Sequence, residues 1–178
     1  MTDIDQFELF SPAQRRERVV DWQVPAPVAR AAMTLSGMDA MRAMRAIRDG
    51  RLPPPPFAKL IGFTMAAVEP GRIVMELEPR EDLENTIGLL HGATAAALLD
   101  TAMGCAISTR LEAGQSSVTL DLKMTFLRPL SVRSGLISAE GRVIKLGRQT
   151  SYTEGFVRDG KEALAVHATA TFSMIGAA

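Results

Sequence analysis

A single carboxylate lies in a stretch of small apolar residues near the middle of the chain. The sequence from 85 to 100 reads N-T-I-G-L-L-H-G-A-T-A-A-A-L-L-D, so Asp100 ends a run of Ala and Leu, with Asn85, His91 and Gly92 upstream. A charged group in apolar surroundings is costly unless it is paired, protonated or used in chemistry. Asp100 is therefore the first candidate for a reacting group.

The residues before Asp100 suit attack on a carbonyl group. Gly92 is expected to start a helix, where unpaired backbone N–H groups stabilise a negatively charged oxygen. The amide of Asn85 offers a second donor, and the missing side chain of Gly92 lets a substrate approach closely. Asp100 then acts on the carbonyl carbon, either as general base for water or as direct nucleophile. We expect His91 to shape the loop and hold its backbone, without transferring protons.

Helix geometry separates the two halves of this arrangement. Asp100 follows Gly92 by eight residues, which at ~1.5 Å rise per residue places them ~12 Å apart along a helix. One carbonyl group cannot touch both residues of a single chain. If both act on the same carbonyl, they come from different subunits, and the sequence predicts a homodimer with two equivalent sites.

Each of these residues also has a purely structural interpretation. Asp100 alone could be a buried acid bonded to backbone donors, Asn85 a loop or cap residue, and Gly92 a packing position. The spacing of the three residues together favours a site. His167, in the last predicted strand, is interpreted as a core or interface histidine and not as a catalytic one.

Composition narrows the class of protein. The 178 residues, 47% hydrophobic and 22% charged, suffice for one soluble domain with its own core. Lys+Arg and Asp+Glu both count 20, which argues against nucleic acid or an anionic membrane as partner. The longest apolar run, 93–107, is shorter than the ~20 residues that span a bilayer. The acidic start M-T-D-I-D-Q-F-E is unlike a signal peptide, so a cytoplasmic location is expected.

Cysteine and histidine are too few for a metal centre of the zinc type. The chain has one Cys and two His, far apart in sequence, so we expect no metal ligand cluster and no internal disulfide. Cys105 lies among Ala, Met and Ile and is expected to be a buried, reduced thiol.

Four consecutive prolines divide the chain into an arm and a main domain. Pro53–Pro56 favours a stiff extended segment, and we predict a helical arm over 1–52 and a domain over 53–178. Within the arm, 28–49 is predicted to be a helix with a methionine stripe, capped by Gly50. That stripe could pack on the domain or on a second subunit. The first 25 residues, with Trp22, are expected to be loosely held.

The main domain is predicted to be α+β, with about six antiparallel strands around one central helix. The helix, from about 92 to 111, is apolar on almost every side and must be enclosed. After Gly114 the period changes to two, as Val118, Leu120, Leu122, Met124 and Phe126 alternate with polar residues. Asp159-Gly160 gives the strongest hairpin signal. A long antiparallel sheet wrapped around one buried helix is the hotdog arrangement. The strands are predicted at 62–68, 72–78, 118–126, 136–146, 149–158 and 163–174.

The segment from Asn85 to Asp100 resembles the hotdog acyl-CoA thioesterases of the phenylacetate-degradation type. Their pattern is Asn, a short loop, His-Gly-Gly, and Asp eight residues beyond the first of those glycines. Asn85, His91, Gly92 and Asp100 fall on these positions. The stretches V-T-L-D-L-K-M-T-F-L-R-P at 118–129, G-R at 147–148 and A-T-A-T-F at 168–172 are also similar, and the likeness spans roughly 57–175.

The resemblance implies hydrolysis of an acyl-CoA thioester to free acid and coenzyme A, with no cofactor beyond the coenzyme A of the substrate. It implies sites at a dimer interface and dimers that pair into tetramers. Thr119 falls where the family often has Ser or Thr, which helps to place the catalytic water or the aspartate. Gly147 and Arg148 are candidates for binding coenzyme A, whose phosphates are expected near surface cations, although Arg128, Arg142 and Lys145 are equally basic. Ala93 stands in place of the second glycine and is expected to tighten the pocket or stiffen the first helical turn.

Two other functions compete with hydrolysis. A non-catalytic acyl-CoA-binding hotdog protein, such as a sensor, usually lacks the helix carboxylate, which is present here as Asp100. A hotdog hydratase generally uses an Asp-His pair, and neither His91 nor His167 has that spacing to Asp100. The sequence therefore favours a thioesterase over both.

Overall fold

The helices and strands of the main domain follow the predicted order. The computed structural model describes residues 16–21 and 37–176, and within them the elements agree with the sequence pattern to within a few residues. One 3₁₀ turn, Glu81–Leu83, precedes the candidate loop. The helices are α1 (Gly37–Arg48), α2 (Pro56–Ile61) and α3 (Gly92–Ser108), and the strands are β1 (Thr64–Glu69), β2 (Arg72–Leu77), β3 (Ser116–Phe126), β4 (Ile137–Leu146), β5 (Thr150–Arg158) and β6 (Leu164–Ile175).

The strands form one antiparallel sheet in the order β1-β2-β4-β5-β6-β3. Short turns join β1 to β2, β4 to β5 and β5 to β6. In the last of these turns Asp159 Oδ1 accepts hydrogen bonds from the N–H groups of Lys161 and Ala163, each at 2.9 Å. The strand that follows the helix, β3, pairs with the last strand and so forms one edge of the sheet. The hotdog fold predicted from the sequence is confirmed.

The central helix α3 packs closely on the inner face of the sheet. A Cβ on Gly141 of β4 would lie 2.5 Å from the backbone of Ala102 and Met103, and one on Gly155 of β5 would lie 2.7 Å from Leu99 Cδ2. Glycine at these positions is what lets helix and sheet approach. The largest fully buried side chains come from both layers: Ile73, Met75, Leu77, Leu98, Leu99, Met103, Ile107, Ile137, Val157, Val166 and Phe172.

The chain covers only one side of α3, although the sequence predicted a fully enclosed helix. The opposite stripe is partly or largely exposed, and it consists mainly of small residues: Ala93, Ala97, Asp100, Gly104 and Ser108. The cause is geometric, because a six-stranded sheet curls around about half of the helix surface. Asp100 lies on this uncovered stripe.

The methionine stripe of the arm packs on the chain's own domain. In α1, Met41 is buried in the core and Met44 packs against it, whereas Met38 is exposed. The guanidinium of Arg45 donates to the carbonyl oxygen of Val68 on β1 at 3.1 Å. The helix ends at Arg48, and Gly50, with a φ of 71°, lies in the turn that follows. Residues 28–36 of the predicted helix, and Trp22, lie outside the described residues. The boundary at Pro53 stays a prediction.

The tight helix–sheet contact gives a prediction about stability. Gly141→Ala is expected to lower the free energy of unfolding by about 1–3 kcal/mol, because its methyl group would meet helix backbone, which has no rotamer that moves aside. Ser138→Ala, on the same strand with its side chain on the other face, is the matched control and should change stability little. Urea denaturation of both variants measures the difference, and equal stabilities would refute the packing argument.

Candidate active site

A cleft of about 370 Å³ opens at the N-terminal end of α3. It lies between the loop that precedes the helix, the end of β3 and the segment after it. Its walls are mostly apolar, and no acidic residue lines it. The lining residues are Asn85, Leu89, Leu90, His91, Gly92, Ala95, Phe126, Leu127, Arg128, Pro129, Leu130 and Val166. Three of the five predicted catalytic residues, Asn85, His91 and Gly92, thus meet in one cleft.

The side chain of Asn85 holds its own loop together. Its Oδ1 accepts hydrogen bonds from the N–H groups of Ile87 at 3.0 Å and Leu89 at 3.1 Å. These two donors fix the orientation of the amide, because the flipped form would turn its NH₂ group toward them. The Nδ2 group has no acceptor among the described residues and remains available in the cleft. The predicted donor role of Asn85 is therefore compatible with its loop role.

His91 caps the helix, as the expected loop-shaping role requires. Its Nδ1 accepts a hydrogen bond from the N–H of Ala93 at 3.0 Å, and its own N–H donates to the carbonyl oxygen of Leu83 at 2.8 Å. With Nδ1 used as acceptor, the neutral ring carries its proton on Nε2. The capping contact occupies the imidazole nitrogen nearest the helix, so the ring positions the backbone.

Gly92 presents a free N–H group in the cleft. The next two amides of the helix are bonded, that of Ala93 to His91 Nδ1 and that of Thr94 to the His91 carbonyl oxygen at 2.9 Å. Within the described part of the chain, the N–H of Gly92 has no acceptor. Because it lies at the positive end of the helix dipole, it suits the stabilisation of a developing oxyanion.

Phe126 and Arg128 also line this cleft. The sequence did not single out Phe126, and it offered Arg128 only as one of several alternative cations for coenzyme A. A Cβ on Gly92 would lie 3.0 Å from Phe126 Cζ, so the aromatic ring covers the glycine. Strand alternation predicted Phe126 to be half-buried, yet it is 57% exposed because β3 is an edge strand. In the sequence, the only sign that Phe126 could reach a site is its position at the end of a predicted strand, because the tertiary fold decides which way that strand end and the following loop face.

Asp100 and Thr119 form a second group among the predicted site residues. Thr119 Oγ1 donates a hydrogen bond of 2.7 Å to Asp100 Oδ1. Thr119 lies at a bulge of β3, where the register with β6 shifts between Thr119 and Asp121. Asp100 is half-buried, and no hydrogen bond within the described residues uses its Oδ2. One carboxylate oxygen is thus held while the other stays available.

The two groups are separate within one chain. Neither Asp100 nor Thr119 lines the cleft at Gly92. The eight-residue spacing along the continuous helix α3 corresponds to ~12 Å. The fold therefore presents both halves of the predicted constellation on one helix, facing away from the core, but does not join them in one chain.

The thiol of Cys105 lies on α3 near Asp100. Burial raises the pKa of Cys105 to about 12, and the negative charge of Asp100 adds to the increase. The thiol is therefore protonated near neutral pH and is a poor nucleophile. The residue is only partly buried in the described chain, whereas the sequence predicted a buried thiol, because it lies beside the uncovered stripe of α3.

Gly147 and Arg148 line another cleft, of about 430 Å³, at the turn between β4 and β5. Lys145 and Tyr152 also line it. A Cβ on Gly147 would lie 2.3 Å from the carbonyl oxygen of Thr150, so this glycine is needed for the tight turn. Arg148 makes no hydrogen bond or ion pair among the described residues and is available for a ligand.

The second histidine is part of a separate contact on the outer face of the sheet. His167 Nε2 is 2.9 Å from Glu154 Oε1, and its ring lies 5.3 Å from that of Phe156. It contacts neither Asp100 nor the cleft, so the described residues contain no Asp-His pair of the hydratase kind.

Within residues 16–21 and 37–176, no three His, Cys, Asp or Glu side chains are grouped to hold a metal ion. No helix in this part of the chain has the length and apolarity needed to cross a bilayer.

Comparison with known sequences gives a consistent result. Residues 87–166 match the sequence model of the thioesterase superfamily. The chain is 35% identical over 101 residues to the proofreading thioesterase EntH of Klebsiella pneumoniae, covering 57% of this chain and 72% of that protein. It is 27% identical over 123 residues to acyl-coenzyme A thioesterase 13 of Homo sapiens, covering 68% of this chain and 81% of that protein.

Solved structures agree with these relatives. A phenylacetic acid degradation-related protein of Ralstonia eutropha superposes with a TM-score of 0.65 at 27% identity, covering 73% of this chain and 98% of that one. The smu.793 protein of Streptococcus mutans, solved with acetyl CoA, superposes with a TM-score of 0.58 at 26% identity, covering 64% and 89%. Fold, sequence pattern and relatives coincide, and the chain belongs to the thioesterase superfamily as a hotdog thioesterase of the PaaI type.

Proposed function

We propose that this thioesterase hydrolyses acyl-CoA thioesters at a site shared between two protomers. One protomer supplies the oxyanion donors Gly92 and Asn85, and the other supplies Asp100. The observation that carries the proposal is the pair of free donors in one cleft, combined with an acid held by Thr119 on the uncovered stripe of the same helix. The relatives that are named acyl-coenzyme A thioesterases support the substrate class.

The geometry suits a two-step acyl transfer to water. The thioester carbonyl oxygen accepts hydrogen bonds from the Gly92 N–H and the Asn85 Nδ2 group, which stabilise the tetrahedral oxyanion. Asp100 either removes a proton from the attacking water or attacks the carbonyl carbon itself, forming an anhydride that water then hydrolyses. In both cases the carbon–sulfur bond breaks, and the products are a carboxylic acid and the coenzyme A thiol. The contact with Thr119 orients the carboxylate.

The edge strand β3 supports a dimer. It is eleven residues long and carries exposed apolar side chains, with Leu120 59% and Val118 48% exposed. A long, apolar, unpaired edge invites pairing with another strand. Antiparallel pairing of β3 with its copy brings the Thr119 end of one strand toward the Phe126 end of the other. Asp100 of one protomer, bonded to Thr119, then approaches Gly92 of its partner, which Phe126 covers.

The uncovered stripe of α3 supports the same assembly. Its small residues let two helices approach closely when two sheets join edge to edge. A dimer would thereby enclose the helix as its apolar sequence requires. We further propose that such dimers pair into tetramers, as the resemblance implies.

The basic cleft at the turn between β4 and β5 is proposed to receive part of coenzyme A. Lys145 and Arg148 line this cleft, and Arg148 has no protein partner among the described residues. A guanidinium group binds phosphate oxygens well. The acetyl CoA bound to the smu.793 protein supports a coenzyme A ligand for this fold.

Removing the charge of Asp100 tests its role. Asp100→Asn is expected to lower kcat by about 10²–10⁴-fold, the usual contribution of a general base. Asp39→Asn is the matched control, because Asp39 is an exposed aspartate on the separate helix α1 and lines neither cleft. Hydrolysis of an acyl-CoA panel, followed by thiol release, measures both. Unchanged turnover in Asp100→Asn would remove this residue from the mechanism.

Mixing two inactive variants tests the shared site. Asn85→Asp keeps the Oδ1 acceptor for the loop and replaces the NH₂ donor by a negative charge, so it should be inactive yet folded. Mixed dimers of Asn85→Asp with Asp100→Asn contain one site with both native groups. Equal amounts, allowed to exchange subunits, should recover about a quarter of wild-type activity. Absence of recovery in mixed dimers, detected by a tag on one chain, would contradict a site built from two chains.

Removing the hydroxyl of Thr119 tests the orientation of the acid. Thr119→Val should lower kcat about tenfold with little change in KM, because it leaves the carboxylate free to rotate. Thr119→Ser keeps the donor and should retain most activity. If the two variants behave alike in steady-state kinetics, the hydrogen bond has no positioning role.

A further inference from the structure

Most arginines of the described chain are held by acceptors of the protein itself. Arg72 binds Glu140 and Glu69, Arg80 binds Asp82, and the others have similar partners. Four arginine side chains in residues 16–21 and 37–176 make no hydrogen bond and no ion pair. They are Arg110, Arg128, Arg133 and Arg148. Of these four, Arg148 was assigned above to coenzyme A, and Arg128 lines the cleft at Gly92.

Arg128 is fixed at its backbone and free at its guanidinium. Its N–H donates to the carbonyl oxygen of Ala165 at 3.2 Å, and the N–H of Leu127 donates to the same oxygen at 2.8 Å. Because the side chain of Arg128 is exposed, the folded protein does not have to bury an unpaired charge before a ligand binds. The backbone contacts thus aim a solvent-accessible cation at the mouth of the cleft.

The negative charge of Asp159 acts on Arg128, but the two side chains form no ion pair, and Asp159 is bonded to the backbone of its own turn. Asp159 Oδ1 accepts the N–H groups of Lys161 and Ala163, and these bonds lower the pKa of Asp159, with the charges of Arg128 and Lys161 adding to the effect. Asp159 does not line the cleft. The cation of Arg128 therefore faces the cleft without a bound counter-charge.

Within one chain, two positive features meet in this cleft and no acidic residue lines it. The free N–H of Gly92 marks the positive end of the α3 dipole, and Arg128 adds a full charge, whereas no Asp or Glu lines the walls. In the proposed dimer, the neutral thioester carbonyl accounts for the Gly92 donor. The Asp100 of the other protomer is held by its own Thr119 and acts on the carbonyl carbon, so neither group uses Arg128. A second, charged group of the substrate is the ligand that this electrostatic arrangement favours.

We propose that Arg128 binds an anionic oxygen group of the thioester substrate at the mouth of the Gly92 cleft. The inference rests on the proposed function and assigns Arg128 as a specificity residue for that reaction. The anion can be a carboxylate at the far end of the acyl group or a phosphate of coenzyme A. Both present paired oxygens that a planar guanidinium binds through two N–H groups.

Four substrates distinguish these sources. A neutral acyl group and a carboxylate-ended acyl group of equal length are each offered as the coenzyme A thioester and as the phosphate-free N-acetylcysteamine thioester. Arg128→Gln should lower kcat/KM about tenfold to a hundredfold wherever the bound anion is present. Loss on both coenzyme A thioesters identifies a phosphate, and loss on both carboxylate-ended thioesters identifies the acyl carboxylate. The neutral N-acetylcysteamine thioester should be unaffected.

Arg133→Gln is the matched control, since Arg133 is also exposed and unpaired but lines neither cleft. An equal loss in Arg133→Gln, an equal loss on all four substrates, or no loss on any of them would overturn the assignment. Calorimetric titration of the same proteins with coenzyme A and with the dicarboxylic acid gives a readout independent of turnover. If Asp100→Asn keeps full activity while Arg128→Gln loses affinity, the proposed mechanism fails and the anion site stands.

Discussion

The fixed rise of the helix α3 is the constraint on which the site depends. Gly92 and Asp100 are separated by eight residues of continuous helix, or ~12 Å, and no side-chain rotation closes that distance. In the proposed function, the same helix therefore carries the oxyanion donor of one site and the acid of another. A second copy of the chain is the simplest way to bring the two halves together, because a twofold axis repeats both at once.

In the loop before α3, some hydrogen-bonding groups hold the backbone and others are left unbonded. Asn85 uses its oxygen to hold the backbone at Ile87 and Leu89, and His91 uses Nδ1 to cap the N–H of Ala93. What remains unbonded in the described residues is the donor set, namely the Asn85 NH₂ group and the Gly92 N–H. Preorganised donors of this kind are effective because they need no reorientation when negative charge develops. The ring of Phe126 lies over Gly92 so closely that a side chain at this position would contact it, which leaves the glycine N–H next to an aromatic wall.

The two edges of the sheet differ in a way that matters for assembly. At the β1 edge, α1 packs against the domain through Met41 and binds the backbone of β1 through Arg45. At the other edge, β3 presents exposed apolar residues and no covering element among those described. The arm therefore leaves β3 as the edge suited to pairing, and β3 is the strand that carries Thr119 and Phe126.

The sequence by itself determined the fold class, the six strands and the helix of this chain, because periodicity and turn residues are local properties of the chain. It also determined the spacing from Asn85 through His91 and Gly92 to Asp100, and with it the prediction that two chains are needed if Gly92 and Asp100 act on the same carbonyl group. Only the tertiary structure decided that Thr119 contacts Asp100, that Phe126 covers Gly92 and that Arg128 faces the same cleft. These contacts join residues that are distant in sequence. They therefore depend on the order of the strands in the sheet and on the face of the sheet from which each side chain projects. The packing of the methionine stripe on its own domain was likewise open in the sequence, since an amphipathic face does not specify its partner.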